Sequence, residues 1–195
     1  ERNFESAKFN EIFSYVINPS SYSILKGKTC DYDYKKIHYS GKPKKCLDIA
    51  FLAEGYTAEE MPKFISDVKR ISDYMLSLDA YKPFVNNINI YAVESVSKDS
   101  GTDNPGKREF KNTVMNSSFY TFNIERYLTT LDYKSVANVA SCAPHDAIFV
   151  LVNTAKYGGG GFFNFYALSS ADHSLSNNVS VHEFGHSFAG LADDY

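Results

Sequence analysis

Tryptophan is absent from the 195 residues, so 15 tyrosines and 15 phenylalanines carry all the aromatic burial. No apolar run reaches the roughly 18 residues that a membrane-spanning helix needs, which excludes a transmembrane helix. Positive charge is in short supply: 20 Lys and Arg stand against 23 Asp and Glu, a net charge of −3. That argues against a nucleic-acid partner, which a basic patch would announce. Neither an initiator methionine nor a secretory signal peptide opens the chain at Glu1-Arg2-Asn3-Phe4, so it reads as processed or cut from a longer protein. Cysteine is scarce. Cys30, Cys46 and Cys142 fit no zinc-ribbon spacing and can make one bridge at most. Cys30–Cys46 is the first choice for that bridge, and three separate core thiols are the plainer reading.

What remains is an ordinary globular composition, 44% hydrophobic and 22% charged, long enough for one domain with a core. Residues 1–45 read as a lead-in segment or the end of a preceding domain. A short helix is expected over 5–15, with Phe4, Phe9, Ile12, Phe13 and Val16 on one side. Pro19 ends it, and a polar, basic stretch follows over 27–45. From Cys46 onwards the pattern sharpens into one domain, 46–195. Residues 47–53 (LDIAFLA) form a buried strand. Thr57 and Glu60 make a capping box for a helix reaching to about Leu78. A second strand spans 88–96, and a long polar loop spans 98–116. A helix is expected over 124–140, a third strand over 147–152, and a fourth over 162–168 after four glycines, Gly158 to Gly161. A last helix covers 176–189. Strands alternating with helices imply an α/β fold with a mostly parallel twisted sheet. The short connection before 162–168 makes that strand the antiparallel edge.

The chemistry lies in the last helix. His182 and His186 are four residues apart, so they share a helix face and can reach one ion. Two imidazoles suit zinc. Glu183 sits one step around, beside the position a catalytic zinc keeps open, where a carboxylate can act as general base. A third protein ligand is required. Gly190 offers a left-handed stop, after which Asp193 or Asp194 can return under the metal; Asp193 is the choice. Gly185 within the helix costs about 1 kcal/mol against alanine, which points to a close neighbour there. The apolar residues Val179, Val181, Phe184 and Phe188 around the motif separate it from a chance pair of surface histidines. His38, His145 and His173 are isolated. Asp99, Asp103 and Glu109 in the long loop offer hard oxygen ligands for calcium, although a solvated loop is the plainer reading.

The stretch HEFGHSFAGLADDY at 182–195 resembles the signature of the IgA peptidase family of bacterial zinc metallopeptidases, which are metzincin-like zincins. Three further blocks share the resemblance: LAEGYTAEEMPKF (52–64), YAVESVSKDSGTDNP (91–105) and VLVNTAKYGGGGFFNFYA (150–167). The resemblance covers roughly 46–195. It implies a secreted or surface zinc metalloendopeptidase acting on protein or peptide substrates, with immunoglobulin the one the family name suggests. It implies zinc on His182, His186 and Asp193, and Glu183 as catalytic base. The chain departs from the wider metzincin pattern H-E-x-x-H-x-x-G-x-x-H, because glycine stands at 190 rather than 189 and Ala192 replaces the third histidine. Such enzymes also carry a methionine turn after the zinc helix. Met61, Met75 and Met115 all precede the motif, so the domain is expected to be truncated after it. The edge strand before the zinc helix would bind the substrate backbone by strand addition, with Gly159, Gly160, Gly161, Phe162 and Phe163 in contact. The glycines would admit a close backbone approach, against the alternative of a flexible loop. Tyr157 or Tyr195 could donate to the oxyanion, against the alternative of packing. The competing function is a non-catalytic, zinc-containing surface binding protein built on the same scaffold.

Overall fold

The computed structural model describes residues 2–3, 5–6, 8–24 and 30–193. Expectations placed on Phe4, Asp194 and Tyr195 lie outside the described residues.

The fold is built around β4 (Leu47–Glu54), buried from Asp48 to Glu54. A run that is apolar on both faces needs cover on both, and it receives it. The elements along the chain are β1 (Arg2–Asn3), β2 (Lys8–Phe9), β3 (Tyr34–His38), β4, α1 (Met61–Ser77), β5 (Ile88–Val93), α2 (Tyr133–Ala140), β6 (Ala147–Val152), β7 (Gly159–Gly161), β8 (Tyr166–Ser170) and α3 (Ser176–Phe184). Strands β3 and β5 to β8 join β4 in one six-stranded sheet of order β3-β5-β4-β6-β8-β7. The four inner strands are parallel, and β3 and β7 are antiparallel edges. Ile49, Phe51 and Ala53 face a core with Phe64, Val68, Ile71 and Met75 of α1 and Phe184 of α3. Ala50 and Leu52 face the opposite core with Val136 and Val139 of α2 and with Met115, Phe119 and Leu128. The mostly parallel α/β sheet read from the sequence is therefore present, with an edge strand added from the lead-in segment.

Four expectations are corrected. The helix over 5–15 does not form. Asn3 Oδ1 accepts from the backbone of Glu5 and Ser6, each at 3.0 Å, and this local turn competes with helix. Residues 10–18 are irregular, and Ile12, Phe13 and Val16 are exposed, so among the described residues no packed apolar face supports a helix there. The helix expected over 124–140 begins only at Tyr133. Asp132 caps it by accepting from Ser135 N at 3.1 Å, while Thr129 pairs with Ser118 in a bridge. The strand expected at 162–168 falls at Tyr166–Ser170 and lies inside the sheet, parallel to β6; the antiparallel edge is the glycine run itself. Finally, the disulfide joins Cys30 to Cys142, and Cys46 is free. The paired cysteines are 112 residues apart, and only the fold brings their Cα atoms to 5.1 Å.

Two polar devices position the functional end of the sheet. Glu54 is fully buried at the end of β4. Its Oε1 accepts from Thr113 Oγ1 (2.6 Å) and Ser117 N (2.9 Å), and its Oε2 accepts from Met115 N (2.9 Å). Burial pushes its carboxyl above the usual range against the pull of those donors. The long polar loop is thus held over the sheet. On the other face, Arg70 of α1 donates to Ser176 Oγ (3.2 Å), Asn177 Oδ1 and Ala171 O (2.7 Å). Lys63 pairs with Asp172 at 2.8 Å. These contacts fix the start of α3, and Ser180 Oγ meets Ser169 Oγ of β8 at 2.8 Å farther along it.

Candidate metal centre and cleft

The helix that carries the histidines changes pitch within the motif. α3 runs as an α-helix to Phe184, and Gly185–Ala189 continues as one wider π turn. Gly190 ends it in the left-handed region, φ +65°, as its position after the motif predicts. A Cβ on Gly185 would lie 3.3 Å from Leu191 Cδ1, so the neighbour implied by a glycine inside the helix is the returning chain. That return brings Asp193 back to the helix face.

Three donor atoms converge there. His182 Nε2 and His186 Nε2 are 2.9 Å apart, and Asp193 Oδ1 lies 3.2 Å from the first and 3.3 Å from the second. Ligands set tetrahedrally at about 2.0–2.1 Å from zinc stand roughly 3.3 Å from one another, so this triangle matches one face of such a site. His186 Nδ1 lies 2.6 Å from the carbonyl oxygen of Leu191, an acceptor only. The proton is therefore on Nδ1, and the Nε2 lone pair is left for the convergence point. Glu183, half-buried, belongs to the same cluster: its carboxylate lies within 4.8 Å of the ligand atoms of both histidines. Burial pushes its carboxyl up to about 7; His186 opposes the rise and Asp193 adds to it. His182, His186 and Asp193 therefore fit a divalent cation that takes two nitrogens and one oxygen.

The site opens into a cleft of about 750 Å³. One wall is the glycine edge. A Cβ on Gly161 would lie 2.5 Å from Glu183 O and 2.7 Å from His186 Cβ, and one on Gly159 would lie 2.7 Å from Glu183 Oε1. The strand and the motif helix touch backbone to backbone, which only glycine permits. Gly159–Gly161 thus form a strand packed against the motif helix. Phe162 and Phe163 also line the cleft. Phe163 packs over the turn, since a Cβ on Gly190 would lie 2.8 Å from its ring. The facing wall comes from residues 122–129, with Phe122, Arg126, Tyr127 and Thr129 lining it. Nothing in the sequence marks that wall. It depends on left-handed Tyr120, Phe122 and Asn123 and on a bridge between Tyr127 and Gly159.

Of the remaining described candidates, Tyr157 reaches the cleft and the others fall elsewhere. Tyr157 lines the cleft, and its ring lies 5.1 Å from that of His173, edge to face. His173 Nδ1 accepts from Leu175 N at 3.2 Å. His38 Nε2 meets Val85 O at 2.9 Å, and His145 Nδ1 meets Ala143 O at 3.0 Å. Asp99 and Asp103 spend carboxylate oxygens on the backbone N–H groups of Asn112 and Lys111, each at 2.7 Å, which is a loop-holding role.

Among known proteins, one family model, described as IgA Peptidase M64, matches residues 36–195. No curated protein matches the chain.

Proposed function

Because the chain belongs to the IgA Peptidase M64 family, we propose that its cleft is the active site of a metzincin-like, zinc-dependent metalloendopeptidase. The observation that carries this reading is the triangle of His182, His186 and Asp193 donor atoms, with edges of 2.9, 3.2 and 3.3 Å. Those residues would hold the zinc. When bound, the ion would polarise the scissile carbonyl and make water a stronger nucleophile near neutral pH. Glu183 then acts as general base: its carboxylate takes a proton from the attacking water and passes it to the leaving amine. The Leu191 carbonyl keeps His186 in the tautomer that offers Nε2. Gly161 presents main-chain groups to an extended peptide, while Phe162 and Phe163 supply apolar surface beside it. Tyr157 is a candidate hydrogen-bond donor to the oxyanion. Protein or peptide substrates follow from the family, and immunoglobulin is the first to try. The Cys30–Cys142 disulfide favours an oxidising compartment, in keeping with secretion or a place on the bacterial surface.

The test is Glu183→Ala. The variant should keep about one zinc per chain by plasma mass spectrometry and lose hydrolysis of a general protein substrate. Proteolysis at the original rate would remove Glu183 from the mechanism. Zinc without hydrolysis in the unaltered chain would favour a non-catalytic, zinc-containing surface binding protein.

A further inference from the structure

The wall facing the glycine edge carries one charged side chain that no acid answers. Glu125 pairs with Lys156 at 3.2 Å, and Lys156 also lies over the rings of Phe119 and Tyr120, at 4.4 and 4.8 Å. Arg126, between Glu125 and Tyr127, is exposed, lines the cleft, and has no carboxylate partner among the described residues. Its guanidinium lies 5.8 Å from the Tyr127 ring, a contact that steadies it without neutralising it. The acidic side chains lining the cleft, Glu183 and Asp193, both lie at the metal end. The cleft is therefore polarised, with acid at the metal and a single arginine away from it.

The backbone places that arginine at the end of the substrate path. Gly158 and Phe162 exchange backbone bonds with β8, through Ser170 N to Gly158 O and Phe162 N to Tyr166 O. In an antiparallel pair such bonds alternate, so Gly159 and Gly161 turn their groups away from β8. At Gly159 that outer side is already taken: Tyr127 bridges to it, and Leu128 N donates to its carbonyl at 3.3 Å. Gly161, beside the metal centre, keeps its outward groups for a peptide. A Cβ on Gly160 would already lie 3.1 Å from Leu128 O and Thr129 Cγ2, so at about 3.3–3.4 Å per residue a peptide laid along the edge from Gly161 meets the wall within one to two residues. Arg126 stands next to the bridging Tyr127 in that wall.

We propose that Arg126 is a specificity residue of the cleft and binds a carboxylate of the peptide substrate, either an Asp or Glu side chain or the C-terminal carboxylate. A guanidinium presents a planar pair of N–H donors that matches a carboxylate. The inference rests on the peptidase reading for the substrate class.

The test measures binding, so that it stands apart from hydrolysis. Four peptides share one neutral sequence, with or without a central Glu and with a free or amidated C-terminus. Each is titrated by calorimetry into the zinc-loaded Glu183→Ala chain. The carboxylate-bearing peptides should bind about fivefold more tightly than the neutral amidated one, the top of the range for a solvent-accessible ion pair, and less so at high salt. Arg126→Gln should collapse that ratio towards one, and Arg126→Glu should invert it for a Lys-bearing peptide. A preference for the Glu peptides identifies an acidic side chain as the ligand; a preference for free C-termini alone identifies a chain end. Equal binding of all four peptides, no binding of any, or a ratio that survives Arg126→Gln overturns the proposal. Failure of the peptidase reading would register separately, as no cleavage by the unaltered chain.

Discussion

At the scale of single residues, the centre depends on which atom carries which proton. The Leu191 carbonyl fixes the His186 tautomer, and the loop that supplies Leu191 also delivers Asp193. One short return therefore sets both a proposed ligand and the orientation of another. Asp193→Ala should weaken zinc binding by more than the ten- to hundredfold that loss of an outer-shell partner costs. A competition titration with a zinc-binding dye checks this, and unchanged affinity would remove Asp193 from the ligand set. His186→Ala should abolish zinc retention altogether. The gathering of both histidines, Glu183 and Asp193 was legible in the sequence because helical spacing and a glycine stop are local rules. Arg126 was not, since its place depends on pairing between Tyr127 and Gly159, 32 positions away in sequence.

At the scale of elements, β7 and α3 act as one unit. Gly161→Ala drives a methyl against Glu183 O and His186 Cβ, at 2.5 and 2.7 Å before relaxation. Overpacking of this kind costs about 1–3 kcal/mol, and the shift falls on the helix that carries both histidines. The variant should melt several degrees lower and lose activity out of proportion to the melting shift; thermal denaturation and assay together decide. Glu54→Gln is the matching test for the opposite wall. An amide replaces one acceptor with a donor facing a backbone N–H of 113–117, a loss of about 1–3 kcal/mol. Hydrogen exchange should rise across 113–130 before it rises in β4. The inner strands were readable because continuous apolar runs admit few alternatives. The helix expected over 124–140 was misjudged because Thr129 and Thr130 are taken up in bridges and side-chain bonds, and Asp132 restarts the count. The edge was misplaced because glycine carries no periodicity, so an apolar run beside it drew the assignment.

At the scale of the whole molecule, stability rests on two cores joined through one sheet, with a long covalent link across the chain. A loop of 112 residues closed by Cys30–Cys142 constrains the unfolded chain by about 4–5 kcal/mol in the chain-entropy account. Cys142→Ser should lower the denaturant midpoint accordingly without altering the zinc content of folded protein. Alkali offers a second probe. Burial holds the Tyr166 phenol up to about 12, while the unfolded chain ionises it near 10. Its contribution is complete below pH 10 and is lost as pH rises from there to about 12, because the unfolded state alone releases the proton in that window. Tyr56 and Tyr91, also raised by burial, steepen the same limb. Tyr166→Phe should flatten the fall of stability above pH 10, at about 1 kcal/mol of neutral-pH stability for the lost bond to Thr130 O. Urea titrations across pH 9–11 measure that slope.

If peptides pair with β7 as proposed, its open position at Gly161 has a consequence for how substrates are read. It offers main chain and nothing else, so it cannot tell one side chain from another or one alignment from the next. Strands without side chains specify pairing register weakly. A peptide laid against β7 could advance by two residues and find the same partners. Whatever fixes the bond to be cut must come from side chains other than these glycines, so products should form as a ladder spaced by two residues wherever that grip is weakened.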